Sequence, residues 1–207
     1  MPILLSVQAS PRGTVSVSRA LSAIFENEWL RANEGGVIVR RDLMISSIPY
    51  MDLDWIAGVY APAEVERTAA MQKALSLSEE MINEVRSAGR ILIGTPMYNY
   101  SVPAVLKSWI DYIVRPGFTF ALAPDWPGLL SDRPVDIVVA ARDEYDSENL
   151  ARLDALTPVV KRAFEFMGIS DVRSLIVGGS LGVNRGAVAL ADHLARFEIP
   201  IAQAARR

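Results

Sequence analysis

A hydroxyl-rich turn near the amino terminus carries side chains that suit a phosphate group. The segment from Ser10 to Ser22 reads SPRGTVSVSRALS and passes from a turn directly into a helix. A helix amino terminus presents unpaired N–H groups and a partial positive charge, and both attract an anion. The side chains that could add hydroxyl donors or positive charge are Ser10, Ser16, Ser18, Arg12 and Arg19. The alternative is that Ser16 only caps the helix and its neighbours form an ordinary turn.

A second segment carries side chains that could flank a planar ring. Residues 95–104 read TPMYNYSVPA, and Pro96 fixes the exit from a strand. Tyr98 and Tyr100 offer flat apolar surfaces with polar tips, while Asn99 offers an amide donor and an acceptor. Such a set can bind and orient a planar heterocycle. The pattern is equally consistent with a tyrosine-rich loop that packs on its own domain.

The absence of two glycine-rich motifs indicates which kind of phosphate ligand the first turn could bind. The first turn has neither the G-x-x-x-x-G-K-[ST] pattern of nucleoside triphosphatases nor the G-x-G-x-x-G pattern of dinucleotide folds. A phosphate monoester is therefore favoured. The sequence GGSLG at residues 178–182 resembles a glycine fingerprint only loosely, and we interpret it as a flexible loop.

Composition excludes several classes of function. A net charge of -3, without a basic run before Arg206 and Arg207, argues against nucleic acid as a partner. No eighteen apolar residues are consecutive, so we expect no membrane span. The amino terminus has no basic leader, which predicts a cytoplasmic protein. The absence of cysteine excludes disulfides, thiol nucleophiles and thiolate metal sites, so any redox chemistry must belong to a cofactor.

The remaining metal-ligating residue types do not form a recognisable site. His193 is the only histidine and lies in a predicted carboxy-terminal helix, where we interpret it as a surface or core residue rather than a catalytic base. Two groups of acidic residues could be considered as calcium or magnesium sites: Asp52 with Asp54, and Asp143 with Glu144 and Asp146. Neither group has the ligand spacing of a known metal-binding loop. We therefore expect no metal.

The order of elements predicts one α/β domain over residues 1–207. Short apolar runs alternate with longer helical patterns, which indicates a doubly wound parallel sheet with helices on both faces. The predicted strands are Ile3 to Gln8, Val37 to Asp42, Arg90 to Thr95, Val135 to Ala141 and Val172 to Gly178. In such folds ligands bind beyond the carboxyl ends of the strands. The loops after Gln8, Thr95 and Ala141 are therefore the predicted site.

The helix after the third strand and the segment that follows it lead to two further structural predictions. The helix after the third strand has a wide apolar face from Val105 to Val114, which covers either the sheet alone or also a partner subunit. The insertion from Phe118 to Leu130 is predicted to roof a substrate slot.

Together the two loops resemble those of the FMN-dependent, NADH-using azoreductases in the flavodoxin-like quinone reductase group. The resemblance spans nearly the whole chain and includes SPRG-x-x-SVSRALS, PMYNYSVPA and the helix that contains LKSWID. It implies a flavodoxin-like five-stranded sheet and a homodimer with sites near the subunit boundary. It also implies the FMN-binding residues Ser10, Ser16, Val17, Ser18, Met97, Tyr98, Asn99, Tyr100 and Arg142. We expect the neighbouring Pro96 and Ala141 to belong to the same cofactor site.

The loop after the fourth strand departs from that family. Where the family usually has Ser-Arg-Gly-Gly, this chain has Ala141-Arg142-Asp143-Glu144, so bulk and negative charge replace two glycines. If the carboxylates face the flavin, they disfavour its anionic reduced form and reshape the substrate slot. If they face water, they favour the start of a following helix, which is the interpretation we prefer because a buried unpaired carboxylate is costly.

The activity that the resemblance implies is a ping-pong reaction. NADH reduces FMN and leaves, and a quinone or azo acceptor then takes its place. Tyr98 and Asn99 are candidate orienting groups, and water or a tyrosine hydroxyl is the expected proton source. Two alternatives stay open: a flavin reductase acting mainly on nitro compounds or other electrophiles, and a nonenzymatic FMN-binding redox partner or sensor.

Overall fold

The computed structural model describes residues 1–62, 64–145 and 151–207. Within this part of the chain the strands form a five-stranded sheet of order β2-β1-β3-β4-β5 in which each neighbouring pair is parallel. The strand bounds are β1 Ile3–Gln8, β2 Val37–Asp42, β3 Arg90–Pro96, β4 Val135–Ala140 and β5 Val172–Val177. The predicted flavodoxin-like fold is confirmed, with strand ends within one residue of the prediction.

Helices cover both faces of this sheet. Their bounds are α1 Val17–Ala32, α2 Leu53–Tyr60, α3 Ala69–Ser87, α4 Ala104–Ile113, α5 Thr157–Phe166, α6 Ser180–Asn184, α7 Leu190–Ala195 and α8 Glu198–Ala205, with a 3-10 turn at Gly13–Val15. Leu4 packs with α1 and α8, whereas its neighbour Leu5 packs with α3, α4 and α5. Both leucines are fully buried. Successive strand residues therefore supply two cores, each buried side chain contributing about 1.5–3 kcal/mol.

The apolar face of α4 is buried within one chain. Leu106, Trp109 and Ile113 are fully buried, and Ile110 is 4% exposed. Trp109 lies 6.3 Å from Phe164 of α5, measured between ring centroids. The width of this face thus reflects contacts with both the sheet and α5.

The insertion after α4 does not line the cavity of its own chain, so the prediction that it roofs a substrate slot does not hold within one chain. Since α4 runs antiparallel to the strands, the segment that follows it starts at the amino ends of the strands. Leu130 N–H donates to the Met167 carbonyl at 2.9 Å, and the Phe120 ring lies 4.6 Å from Phe166, at the end of α5. Arg133 holds the same region to the carbonyls of Val85, Arg86 and Ala88, at the end of α3.

None of the helices in the described residues is long and apolar enough to cross a membrane.

Candidate functional site

The carboxyl ends of β1, β3 and β4 open into a cavity of about 500 Å³. The loops that follow these strands were the predicted site, and the structure brings them together. The predicted cofactor-binding residues that line the cavity are Ser10, Ser16, Val17, Ser18, Pro96, Met97, Tyr98, Asn99, Tyr100 and Arg142. Ala140 lines it as well, whereas Ala141 is fully buried and is bonded through its backbone to Val177 and Ser180.

A cluster of three buried hydroxyls forms one end of the cavity. Ser10, Ser16 and Ser18 are each no more than 2% exposed. Ser16 Oγ donates to Ser10 Oγ at 2.8 Å and lies 3.3 Å from Ser18 Oγ. Ser10 Oγ also accepts from the Arg12 N–H, so its lone pairs are occupied and its own proton is left to be donated. The cluster therefore presents hydroxyl donors to the cavity.

The same cluster lies at the amino terminus of α1. Ser16 caps the helix, since its side chain accepts from the Arg19 N–H at 3.3 Å. The first N–H groups of a helix have no acceptor within the helix, so those of Val17 and Ser18 are left for a ligand. Capping and anion binding, which were alternatives in the sequence, are thus compatible in the structure.

The two arginines of the turn have different surroundings. Arg19 donates to the Ser10 carbonyl at 2.7 Å and forms a bidentate pair with Asp42 at 2.7 and 2.8 Å. Its hydrogen bonds hold the pKa of the Asp42 carboxyl below its ordinary value. Arg12 lines the cavity and donates to Asn184 Oδ1 in α6. Arg19 therefore fixes the turn, and Arg12 supplies the positive charge at this end of the cavity.

A tight turn after β3 presents two aromatic rings. Tyr98 and Ser101 exchange backbone hydrogen bonds of 3.1 and 2.9 Å, and the two residues between them have φ values of 49° at Asn99 and 65° at Tyr100. This is the backbone of a two-residue hairpin turn, in which a tyrosine at positive φ is unusual. The Ala155 N–H donates to the Tyr100 carbonyl at 2.8 Å and helps to hold the turn. Strain of this kind typically marks a ligand-binding segment.

Tyr145 is a cavity residue that the sequence analysis missed. Its hydroxyl donates to Met97 Sδ at 2.9 Å, which connects the loop after β4 to the turn after β3. Burial raises the pKa of the Tyr145 hydroxyl, and Asp154, Tyr100 and Asp143 raise it further. The other missed lining residues, which follow β5, are Ser180, Leu181 and Asn184. Because β5 ends at the same edge as β1 and β3, its position alone could have indicated them.

The loop after β4 is packed against two glycines. A Cβ on Gly178 would lie 2.6 Å from the Asp143 carbonyl oxygen and 2.6 Å from Glu144 Cα, and Gly179 has a φ of 78°. The interpretation of this glycine segment as a flexible loop is therefore wrong, because these residues are required for close approach. Glu144 pairs with Arg196 at 3.1 Å.

Asp143 and Glu144 are both exposed, which agrees with the preferred interpretation of their environment. Asp143 nevertheless lines the cavity as well. The proposed contribution to a following helix falls partly on residues 146–150, including Asp146, which lie outside the described residues.

His193 is a core residue, one of the two interpretations offered for it. It is 1% exposed and its ring lies 5.4 Å from Phe197. Burial lowers the pKa of its imidazole, with a further contribution from Arg196. Among the described residues, no group of three or more histidine, aspartate or glutamate side chains could hold a metal ion.

A sheet of order β2-β1-β3-β4-β5, with a helix amino terminus and a ligand-sized cavity beyond its carboxyl edge, defines the flavodoxin-like class of nucleotide-binding α/β proteins. Residues 3–199 match the family described by its flavodoxin-like fold. The chain therefore belongs to that family, and the predicted resemblance is confirmed.

Curated relatives of this chain carry names that specify an activity. The chain is 38% identical over 208 residues to FMN-dependent NADH:quinone oxidoreductase 8 of Burkholderia lata, covering 100% of this chain and 98% of the relative. It is 34% identical over 207 residues to FMN-dependent NADH:quinone oxidoreductase 2 of Jannaschia sp., covering all of both chains. The crystal structure of an azoreductase from Bacillus anthracis superposes with a TM-score of 0.87 at 25% identity, covering 100% of this chain and 99% of that one.

Proposed function

We propose that this protein is an FMN-dependent oxidoreductase that transfers reducing equivalents from NADH to quinones and azo compounds. The observation that carries the proposal is the shared cavity, in which three buried hydroxyls at the start of α1 lie at one end and a strained tyrosine turn forms a wall. The names of full-length relatives support the same activity. A cavity of about 500 Å³ is within the size range of cofactor sites.

The residues present fit the two ends of FMN. Ser10, Ser16 and Ser18, with the free N–H groups of the first turn of α1, would hold the phosphate. The Met97–Tyr100 segment would contact the isoalloxazine ring, with Tyr98 and Asn99 as orienting groups, and the Ala141–Arg142 backbone would lie near its edge. When bound, FMN supplies the hydride chemistry, and the protein supplies position and electrostatics.

Protons for the reduced acceptor come from water or from a tyrosine. Tyr145 is the tyrosine that the structure favours, because it lines the cavity and, among the described residues, its hydroxyl donates to a thioether, a weak acceptor, at 2.9 Å. Its raised pKa keeps the hydroxyl protonated at neutral pH. The thioether bond is readily exchanged for a bond to a substrate oxygen or nitrogen.

We propose a homodimer as the assembled form. The loop before α2 and α2 itself expose large apolar side chains, with Ile45 81%, Tyr50 78% and Leu53 79% exposed. Exposed apolar surface on this scale is typical of an interaction site, and a second copy of the chain would cover it. Sedimentation velocity on the purified protein measures the mass directly, and a monomer at micromolar concentration would contradict this assembly.

We also propose a single domain and a cellular location. The family match over residues 3–199 supports one domain. We propose a cytoplasmic location, which NADH as the electron donor supports.

A spectrum of the purified protein tests the proposed function. A flavin absorbance band that bleaches when NADH is added without oxygen, and returns when a quinone is added, is the expected result. A yellow protein that NADH does not bleach would instead indicate a nonenzymatic FMN-binding partner. A colourless protein that takes up no added FMN would remove the basis of the proposal.

Acceptor classes are separated by kinetics. Comparison of kcat/KM for a quinone, an azo dye and a nitroaromatic compound, each with NADH, identifies the preferred class. A clear preference for nitro compounds would favour the alternative reductase.

A further inference from the structure

The wall of the cavity after β4 carries a carboxylate. Asp143 lines the cavity, and its side chain is 49% exposed. The charged lining residues in the described part of the chain are Asp143, Arg142 and Arg12. Arg12 is directed to Asn184, near the hydroxyl cluster. The charge of the wall beside the tyrosine turn is therefore set by Asp143 and Arg142.

The backbone of Asp143 has little freedom to move away from the cavity. Its carbonyl oxygen lies 2.6 Å from the position that a Cβ on Gly178 would occupy, so the loop is in contact with the end of β5. The next side chain, Glu144, is bonded to Arg196 at 3.1 Å and is not part of the lining. Of the two adjacent carboxylates, it is thus Asp143 that contributes charge to the cavity.

The neighbouring Arg142 does not give this wall of the cavity a net positive charge. Arg142 Nε lies 3.7 Å from Asp143 Oδ1, so the two charges largely cancel for a ligand that approaches either of them. The electrostatic effect of Asp143 also reaches the cavity interior, where it contributes to the raised pKa of Tyr145. A bound phosphate dianion would add further negative charge at the other end.

We propose that Asp143 is a specificity-determining residue: it neutralises Arg142 and so removes the attraction that an uncompensated arginine in this wall would exert on anionic acceptors. The inference rests on the proposed function, since it places the acceptor over a flavin ring in this cavity. A sulfonate or carboxylate on the acceptor gains no net attraction from the paired Arg142 and Asp143, and the phosphate dianion at the other end of the cavity disfavours it. A neutral ring of the same shape is affected by neither charge. Selection therefore acts on the charge of the acceptor and not on its size.

Asp143→Asn tests the proposal with two acceptors of one ring system. We measure kcat/KM for 1,4-naphthoquinone and for 1,4-naphthoquinone-2-sulfonate at saturating NADH. The acceptor ratio is kcat/KM for the anionic sulfonate divided by kcat/KM for the neutral quinone. The intrinsic difference in reactivity cancels when this ratio is compared between proteins. The ratio is expected to rise about three- to tenfold in the variant, the size of one partly screened charge interaction.

Binding provides a readout that does not depend on turnover. Dissociation constants of 2-naphthoate and 2-naphthamide, which are not reduced, are measured from changes in the absorbance of the FMN-loaded protein. Asp143→Asn should tighten naphthoate binding relative to naphthamide by a similar factor. High salt should reduce the difference in relative naphthoate affinity between the wild type and the variant, because the Asp143 charge is partly exposed.

Two control variants remove the same charge elsewhere. Asp125→Asn alters an exposed residue in the insertion at the other end of the sheet, and Glu144→Gln alters the carboxylate that faces Arg196. Neither should change the acceptor ratio. An equal change in all three variants, or equal gains for both acceptors in Asp143→Asn, would overturn the proposal. Asp143→Ser serves as a second variant if the asparagine disturbs the loop.

Failure of the selectivity proposal is distinct from failure of the proposed function. A wild-type protein that binds FMN but reduces neither quinone with NADH would refute the activity, while the naphthoate and naphthamide pair would still measure the effect of Asp143. Normal activity with an unchanged ratio would refute only the selectivity.

Discussion

The hydroxyl cluster explains how a phosphate could be bound without a lysine. Ser10, Ser16 and Ser18 are buried and bonded to one another, so their positions are set before a ligand arrives. Preorganised donors lose little entropy when they bind. The turn is fixed in addition by Arg19, which joins the Ser10 carbonyl to Asp42.

Removal of one hydroxyl should weaken FMN binding selectively. We expect Ser18→Ala to raise the dissociation constant of FMN by about one to two orders of magnitude, because one charge-assisted hydrogen bond is worth roughly 1.5–3 kcal/mol. Fluorescence titration of the apoprotein measures the constant. Riboflavin, which lacks the phosphate, is the control and should bind both proteins equally. An unchanged constant for FMN would show that Ser18 does not contact the phosphate.

Arg12, the arginine of the turn that lines the cavity, should contribute through its charge. Arg12→Gln is expected to weaken FMN about two- to tenfold, with no effect on riboflavin, because Arg12 lies at the phosphate end but is exposed. The loss should decrease as salt is added. Arg185→Gln is the matched control, since Arg185 is exposed and does not line the cavity. Equal effects of the two substitutions would indicate a general effect of net charge.

At the scale of elements, the glycines after β5 decide where the loop after β4 can lie. Gly178→Ala would bring a Cβ within 2.6 Å of backbone atoms of Asp143 and Glu144, and backbone cannot give way as a flexible side chain does. We expect a loss of about 1–3 kcal/mol in the free energy of unfolding, together with weaker FMN binding. Urea denaturation and flavin titration measure the two effects.

Gly89→Ala is the control for this prediction. A Cβ at Gly89 would meet only the Ile3 carbonyl oxygen, at an ordinary distance of 3.7 Å. This variant should retain FMN affinity. Similar losses in both variants would mean that Gly178 is not needed for close approach of the loop.

The fold and two of the site loops could be predicted because their signals are local. Apolar runs such as Ile91 to Ile93 indicated buried strands, and the SPRG and PMYNY segments carry their donors and rings within a few residues. Contacts between distant segments gave no such signal. The Tyr145 hydroxyl meets Met97, and the Arg90 guanidinium meets the Ala204 carbonyl 114 residues away, only because the chain folds.

The position of the insertion away from the cavity of its own chain has a simple physical origin. In a parallel sheet each connecting helix runs back from the carboxyl to the amino edge, so any segment that directly follows α4 must start far from the site. This direction was available from the element order alone. The prediction instead relied on the extra length of the chain. In the structure the Phe120 ring of this segment packs on Trp126 and on Phe166.

At the scale of the whole molecule, the single histidine links stability to pH. Burial lowers the pKa of His193 from its ordinary value of 6.5. As the pH falls through 6.5, the unfolded chain takes up a proton there while the folded protein does not. Stability should therefore decrease with falling pH between 6.5 and the lower pKa of the folded state, by up to about 1.4 kcal/mol per pH unit.

His193→Gln isolates this contribution. The free energy of unfolding, measured in urea from pH 8 to pH 5, should fall less steeply below pH 6.5 in the variant than in the wild type. Above pH 7.5 the difference in the free energy of unfolding between the two proteins should be constant, because the imidazole is neutral in both the folded and the unfolded state. Parallel curves over the whole range would contradict a lowered pKa for His193.

The separation of the insertion from the cavity has a practical consequence. The sequence contains no cysteine, so a cysteine introduced at Asp125, which is exposed in the insertion, would be the sole thiol of the chain. Attachment to a gold electrode through that thiol would orient every molecule with the mouth of its cavity toward the solution. Dissolved dyes or quinones would then reach the site unobstructed while the opposite end of the sheet stayed tethered.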